Sequence, residues 1–257
     1  MNAPYLHNVD FPINNDPVWG LFEYFYDKYY LAYNGDRTPV IPRKIHHVWL
    51  GSKFPDKYKR LRDTWINLHP TWEYKCWGDD DAEAFDMVNR KAFDIVNNVG
   101  AKSDIFRYEI LSKYGGLYID TDFECLKAFD DLLYLDFIGG SGWTEYPSVF
   151  NGLIACKPNN AFIKSVMDGI GGQEINSTHG IGEILPLTGA EFITPLFIDY
   201  LENTDDKVVM FPKNYFYPLP NTFRLEIRED NEKNRKRIYS FVKPNSYCIH
   251  LWYTSWQ

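Results

Sequence analysis

The segment Gly116-Leu117-Tyr118-Ile119-Asp120-Thr121-Asp122 places two carboxylates two residues apart at the end of a short apolar run. Alternate strand residues point to one side, so both acids are able to address a single spot. Along a regular strand they are separated by about 6.6 Å, too far to hold an ion side by side without a bend. The spacing therefore predicts that one acid binds a cation directly and the other acts through water or a ligand. Hard divalent ions, Mn²⁺ or Mg²⁺, take carboxylate oxygens and bridge them to phosphates.

A second pair of charges lies upstream. At about 100° per residue, a helix over 101–114 gathers Lys102, Glu109 and Lys113 on one side, read as the solvent face. Asp104 and Arg107 fall on the opposite side with Ala101, Tyr108 and Leu111. Charges on a core face require a partner or a ligand. Either the two pair internally at i, i+3, or they meet the hydroxyls of a bound sugar. His250, after a strand near the C-terminus, is by type a structural imidazole or a third ligand beside Asp120 and Asp122. Asp79-Asp80-Asp81 opens a helix, where capping and the helix dipole account for three acids. The chain contains no G-x-x-x-x-G-K-[ST], G-x-G-x-x-G or G-x-S-x-G, so P-loop, dinucleotide and serine-hydrolase chemistry are not expected.

Three segments, Lys44-Ile45-His46-His47-Val48-Trp49-Leu50-Gly51, Ala101-Lys102-Ser103-Asp104-Ile105-Phe106-Arg107-Tyr108 and Gly115 through Asp122, occur in that order. Together they resemble the D-x-D sugar-transferase family of the fungal initiating α-1,6-mannosyltransferases (glycosyltransferase family 32-like). A more distant similarity is to the glucosylating bacterial toxins. The resemblance runs through 41–128 and continues in islands. It implies a GT-A fold and a retaining hexosyltransferase. The donor it implies is GDP-mannose, or alternatively UDP-galactose, UDP-glucose or UDP-GlcNAc, and the acceptor is a glycan, glycolipid or other hydroxyl compound.

Residue by residue, the resemblance implies that Trp49 stacks on the base with Leu50 in the donor site, that Asp104 and Arg107 hold sugar hydroxyls, and that Tyr118 sits near the donor. Asp120 and Asp122 would hold ribose and metal, His250 would complete the metal site, and Trp256 would contact the diphosphate. Asp104, Arg107, Asp120 and Asp122 form the implied catalytic set. Phe150-Asn151-Gly152 and Leu187-Thr188-Gly189-Ala190-Glu191 resemble acceptor-side islands, with Ala190 where the family more often has Pro. The rival readings are a metal-dependent sugar-nucleotide hydrolase and a non-catalytic sugar-nucleotide or glycan binder.

The elements that must position these residues are legible in outline. Asp16-Pro17 starts an aromatic helix that Asn34-Gly35 stops. Strands are predicted at 44–50, 72–77, 117–120, 137–139, 149–156, 208–211 and 247–251, and helices at 56–68, 79–98, 101–114, 160–170 and 190–201. The stretches 141–147 and 169–189 read as loops. Alternating strands and helices predict an α/β layout with a largely parallel sheet, and the GT-A resemblance implies a Rossmann-like mixed sheet flanked by helices. Residues 1–38 are expected to pack as an aromatic helical segment on a main domain over 39–257.

With 257 residues, one core suffices. The net charge of −8 disfavours nucleic-acid and anionic-membrane partners. Four scattered cysteines suit free thiols in a reducing compartment. Neither a signal peptide nor an apolar run of about 18 residues is read. The expectation is a soluble cytoplasmic protein.

Overall fold

The computed structural model describes residues 16–177, 181–225 and 231–253. Helix α1 (Pro17–Tyr26) begins as its sequence dictates, with the Asp16 carboxylate accepting the Val18 N–H at 2.9 Å and Pro17 in the first turn. It runs into a π-helical turn, Asp27–Leu31. Its buried face (Phe22, Phe25, Tyr26) packs on β7 (Val208–Phe211), covering the edge of the main sheet.

That sheet contains β1 (Lys44–Val48), β2 (Glu73–Trp77), β3 (Gly116–Ile119), β5 (Phe137–Gly140), β6 (Phe150–Cys156) and β7, in the order β2-β1-β3-β6-β5-β7. It is not largely parallel. The β1–β2, β1–β3 and β5–β7 pairs are parallel, but β6 runs antiparallel to both β3 and β5. The physical reason is the link from β5 to β6: loop 141–149 has no crossover helix, so the chain turns back beside itself.

Helix α2 (Asp56–Leu68) connects β1 to β2. The expected helix 79–98 is two short ones, α3 (Asp79–Ala84) and α4 (Arg90–Ile95). Glu109 explains the break and corrects its own expected exposure. Only 2% exposed, it accepts the N–H groups of Val88 (3.1 Å) and Asn89 (2.7 Å) from within α5 (Val99–Tyr114). The backbone groups freed between two helices need a buried acceptor, and Glu109 is that acceptor.

Helix α5 ends at Gly115 and Gly116, with φ of 58° and 95°. A side chain at Gly115 would meet the Pro158 nitrogen at 2.6 Å, and one at Gly116 the Lys44 carbonyl at 2.8 Å, so glycine alone lets β3 begin against β1.

After β3 come β4 (Phe123–Cys125) and a 3₁₀ turn, Asp130–Leu132. Beyond β6 lie α6 (Ala161–Gly171), α7 (Ile181–Leu187) and α8 (Ala190–Glu202). The expected 169–189 loop thus contains a helix. By length and composition Gly182–Glu202 passes for a membrane span, but here it breaks at Thr188-Gly189 and α8 packs on α6. Helix α9 (Lys213–Phe216), a 3₁₀ turn (Asn221–Leu225), α10 (Glu232–Tyr239) and β8 (Cys248–His250) complete the elements of the described residues.

Strand β4, absent from the sequence reading, pairs antiparallel with β8 and sets Phe123 opposite His250. An apolar cluster of Tyr58, Leu61, Leu219, Ile238, Ile249 and Leu251 holds this small sheet against α2 and α10.

Two strand histidines make stability pH-dependent. His46 Nε2 lies 2.9 Å from the Gly115 carbonyl, while its Nδ1 accepts the Trp77 indole N–H at 3.2 Å. Burial pushes its pKa down from 6.5 to about 4, and that of His47 to about 3. The unfolded chain therefore takes up these protons first. The histidines' contribution to stability is constant above about pH 6.5 and falls as pH drops from there to about 4, by about 3 kcal/mol for His46 alone. A His46→Gln variant whose denaturant midpoint shifts with pH across that interval as much as the wild type's would contradict this.

Candidate active site

The end of β3 opens into a cleft of about 630 Å³. The strand stops at Ile119, and the chain then turns, with Phe123 N–H reaching back to the Asp120 carbonyl at 3.3 Å. This bend removes the separation expected of a straight strand. Ligand atoms of Asp120, Asp122 and His250 lie within 4.8 Å of one another. Gly152 contributes by its lack of a side chain: a Cβ there would stand 2.8 Å from Asp120 Oδ2.

His250 reaches the site because β8 pairs with β4. Its Nε2 is 3.0 Å from Asp122 Oδ1, and its ring stacks on Phe123 at 4.2 Å. Leu251 N–H donates to the Asp122 carbonyl at 3.0 Å, fixing the two segments together. The buried Nδ1 of His250 has no hydrogen-bond partner among the described residues. Two converging carboxylates beside an imidazole with an unpartnered nitrogen fit a divalent cation of the Mn²⁺ or Mg²⁺ type.

The Asp104 and Arg107 alternatives prove compatible. They pair, Arg107 Nη2 to Asp104 Oδ1 at 2.8 Å, and both also line the cleft. Arg107 Nη2 is also 3.3 Å from Asp120 Oδ1 and its guanidinium lies 4.4 Å over the Tyr118 ring. It further donates to the carbonyls of Asn151 and Ser103. Asp104 accepts from Asn151 Nδ2 and from Thr188 Oγ1, each at 2.9 Å. Burial pushes the Asp104 carboxyl up to about 6, against the opposing pull of Arg107. Desolvation likewise raises Asp120, again opposed by Arg107. Tyr118 donates its hydroxyl to Asp120 Oδ1 at 2.8 Å.

Trp49, Leu50 and Gly51 line another part of the cleft. Trp49 packs on Tyr58 (5.2 Å between ring centres) and Phe54 (5.7 Å), and Gly51 N–H donates to both Asp79 oxygens at 2.9 and 3.1 Å. Of the three acids opening α3, Asp79 thus anchors the Trp49 loop, and Asp81 accepts the Gly78 N–H at 3.0 Å.

The structure gathers every sequence-derived site residue into one cleft except Trp256, which lies outside the described residues. The two segments read as acceptor-side islands also touch two of the cleft acids, through Asn151 and Thr188 on Asp104 and Gly152 beside Asp120. Trp252 carries no distinguishing mark in the sequence. It lies 4.0 Å from the His250 ring and holds a left-handed backbone, φ 58°. That conformation is uncommon for a bulky residue and invisible in a sequence pattern.

Residues 55–137 match the model of the glycosyltransferase sugar-binding region containing the DXD motif. Inositol phosphoceramide mannosyltransferase 2 of Schizosaccharomyces pombe is 37% identical over 100 residues, covering 37% of this chain and 29% of that protein. Inositol phosphoceramide mannosyltransferase 1 of the same yeast is 27% identical over 81% of this chain and 68% of its own length. The chain spans under a third of the first of these relatives. Among solved structures, the PaToxG glycosyltransferase superposes with a TM-score of 0.50 at 17% identity, covering 62% of this chain and 69% of that one, a likeness of fold. Residues 55–137 are thus similar to the sugar-binding region of the DXD glycosyltransferases, and the chain has a GT-A fold.

Proposed function

We propose that the chain is a retaining hexosyltransferase that moves a sugar from a nucleotide to an acceptor hydroxyl, with Asp104, Arg107, Asp120 and Asp122 as its catalytic residues. The observation that carries this reading is the convergence of Asp120, Asp122 and His250, within 4.8 Å, beside the Asp104–Arg107 pair in a single cleft. The cleft volume, about 630 Å³, suits a ligand of sugar-nucleotide size. Asp120, Asp122 and His250 would hold Mn²⁺ or Mg²⁺, which when bound supplies positive charge to the departing diphosphate.

Trp49 and Leu50 would take the base, and Tyr118 would orient Asp120. Asp104 has both oxygens engaged by Arg107, Asn151 and Thr188, which suits electrostatic support of an oxocarbenium-like sugar better than nucleophilic attack. Attack is therefore assigned to the acceptor hydroxyl, on the face the diphosphate leaves; trapping a glycosyl-enzyme would contradict this.

Mannose is the favoured sugar, on the names of the fungal relatives, with GDP-mannose the donor the sequence resemblance implies and UDP-hexoses the alternative. The acceptor is a glycan or glycolipid, met where Ser148, Ala190 and Glu191 line the cleft. Residues 39–257 form the proposed catalytic unit, with 1–38 an added segment, and four free thiols favour a cytoplasmic site of action.

The test is release of nucleoside diphosphate from a panel of GDP- and UDP-sugars with Mn²⁺ and then with chelator, acceptor present and absent. Chelator-sensitive turnover of one donor with a glycosylated product is expected. Donor loss with no glycosylated product would indicate a hydrolase, and silence with no binding would remove the reading. Trp49→Ala should weaken donor binding about 10- to 100-fold, the worth of a base stack; unchanged donor affinity would unseat Trp49.

A further inference from the structure

Charge balance in the cleft leaves one requirement open. Four carboxylates line it, Asp104, Asp120, Asp122 and Glu191, against two cations, Arg107 and Arg224. Arg107 is buried and already committed to Asp104, Asp120 and the carbonyls of Asn151 and Ser103. A divalent ion would polarise the diphosphate, but its two charges are matched by those of Asp120 and Asp122, so ion and acids together carry no net positive charge. The diphosphate of a sugar nucleotide, carrying about two negative charges and about three once it departs, then remains without a balancing cation.

Arg224 is exposed, lines the cleft and carries no ion pair among the described residues. Its place in the fold is fixed from two sides. The Trp252 indole N–H donates to the Leu219 carbonyl at 2.8 Å, while the Trp252 ring lies 4.0 Å from His250. Phe223 packs on Phe241 at 4.8 Å beneath the Arg237 guanidinium. The segment bearing Arg224 is thereby tied to the same aromatic residue that abuts the D-x-D site. Glu191, by contrast, rises from the first turn of α8, whose Thr194 hydroxyl accepts the Val149 N–H at 3.0 Å.

We propose that Arg224 binds the diphosphate of the donor and stabilises it as leaving group, a role that rests on the sugar-nucleotide reading above. Its guanidinium presents a planar fork of donors that matches phosphate oxygens. Charge that strengthens on those oxygens as the anomeric bond breaks makes the contact stronger in the transition state than in the bound donor.

The experiment measures binding of GDP, UDP, guanosine, uridine and inorganic pyrophosphate to the full chain with Mn²⁺, at two salt concentrations, for the wild type, Arg224→Gln and Arg224→Lys. Arg224→Gln should weaken the preferred nucleoside diphosphate about 10- to 100-fold, the worth of a charged hydrogen bond, and reduce the salt dependence. Nucleoside binding should be unchanged, and Arg224→Lys should fall between. Affinity within twofold of wild type and an unchanged salt slope would overturn the assignment. So would an equal loss for the nucleosides, which would make Arg224 part of the base site. If the wild type binds neither nucleoside diphosphate, the transferase reading falls and this role with it.

Discussion

Asp122→Ala is expected to lower sugar transfer about 10³-fold or more while the protein still folds. The two halves of this expectation have different causes. Asp122 is buried, and among the described residues its carboxylate engages His250 Nε2 alone, while the carbonyl that holds Leu251 N–H survives the substitution. The structural loss is therefore one buried hydrogen bond, about 1–3 kcal/mol. The catalytic loss is larger because a site for a divalent ion loses one of three ligands, and such charge stabilisation is worth several kcal/mol, about tenfold in rate per 1.36 kcal/mol. Turnover, thermal melting and Mn²⁺ binding measured on one preparation check both halves. Transfer within about tenfold of wild type, or undiminished Mn²⁺ affinity, would remove Asp122 from the proposed site.

The second large effect is expected of Arg107→Lys, a substitution that preserves charge. Lysine offers a compact ammonium in place of a fork. Arg107 joins Asp104 at 2.8 Å to Asp120 at 3.3 Å while resting on the Tyr118 ring, and a single ammonium cannot make these contacts together. Asp120 would then be held only by Tyr118, and a displacement of about 1 Å at the reacting groups costs about 100-fold in turnover. Removing the charge altogether, as in Arg107→Met, should add a stability loss of about 3–5 kcal/mol because Asp104 is left buried without its cation. A lysine variant with full activity would mean that the ion pair is structural and that the sugar is oriented elsewhere.

Local patterns determined much of this protein. The helix at Asp56–Leu68 and the strand at Val208–Phe211 follow from apolar periodicity and breakers within their own residues. The glycines at 115 and 116 mark the end of α5 because no other residue takes their backbone without collision. The D-x-D motif and the misplaced pair Asp104 and Arg107 identified the acids because charge on an apolar face demands an explanation at any stage of reading.

Tertiary structure decided the rest, because strand partners are chosen over distances that no local window spans. His250 meets Asp122 across 128 residues only because β8 pairs with the three-residue β4, too short to show a period. The same dependence on distant partners buries Glu109, whose helical position faces solvent in a wheel drawn without its neighbours but faces a broken helix in the fold. It also turns β6 against its neighbours and brings Arg224, unmarked in sequence, to the cleft. The sequence by itself specified which residues were the candidates for chemistry. Their convergence is a property of chain pairing and long-range burial, and it exists only once the fold is complete.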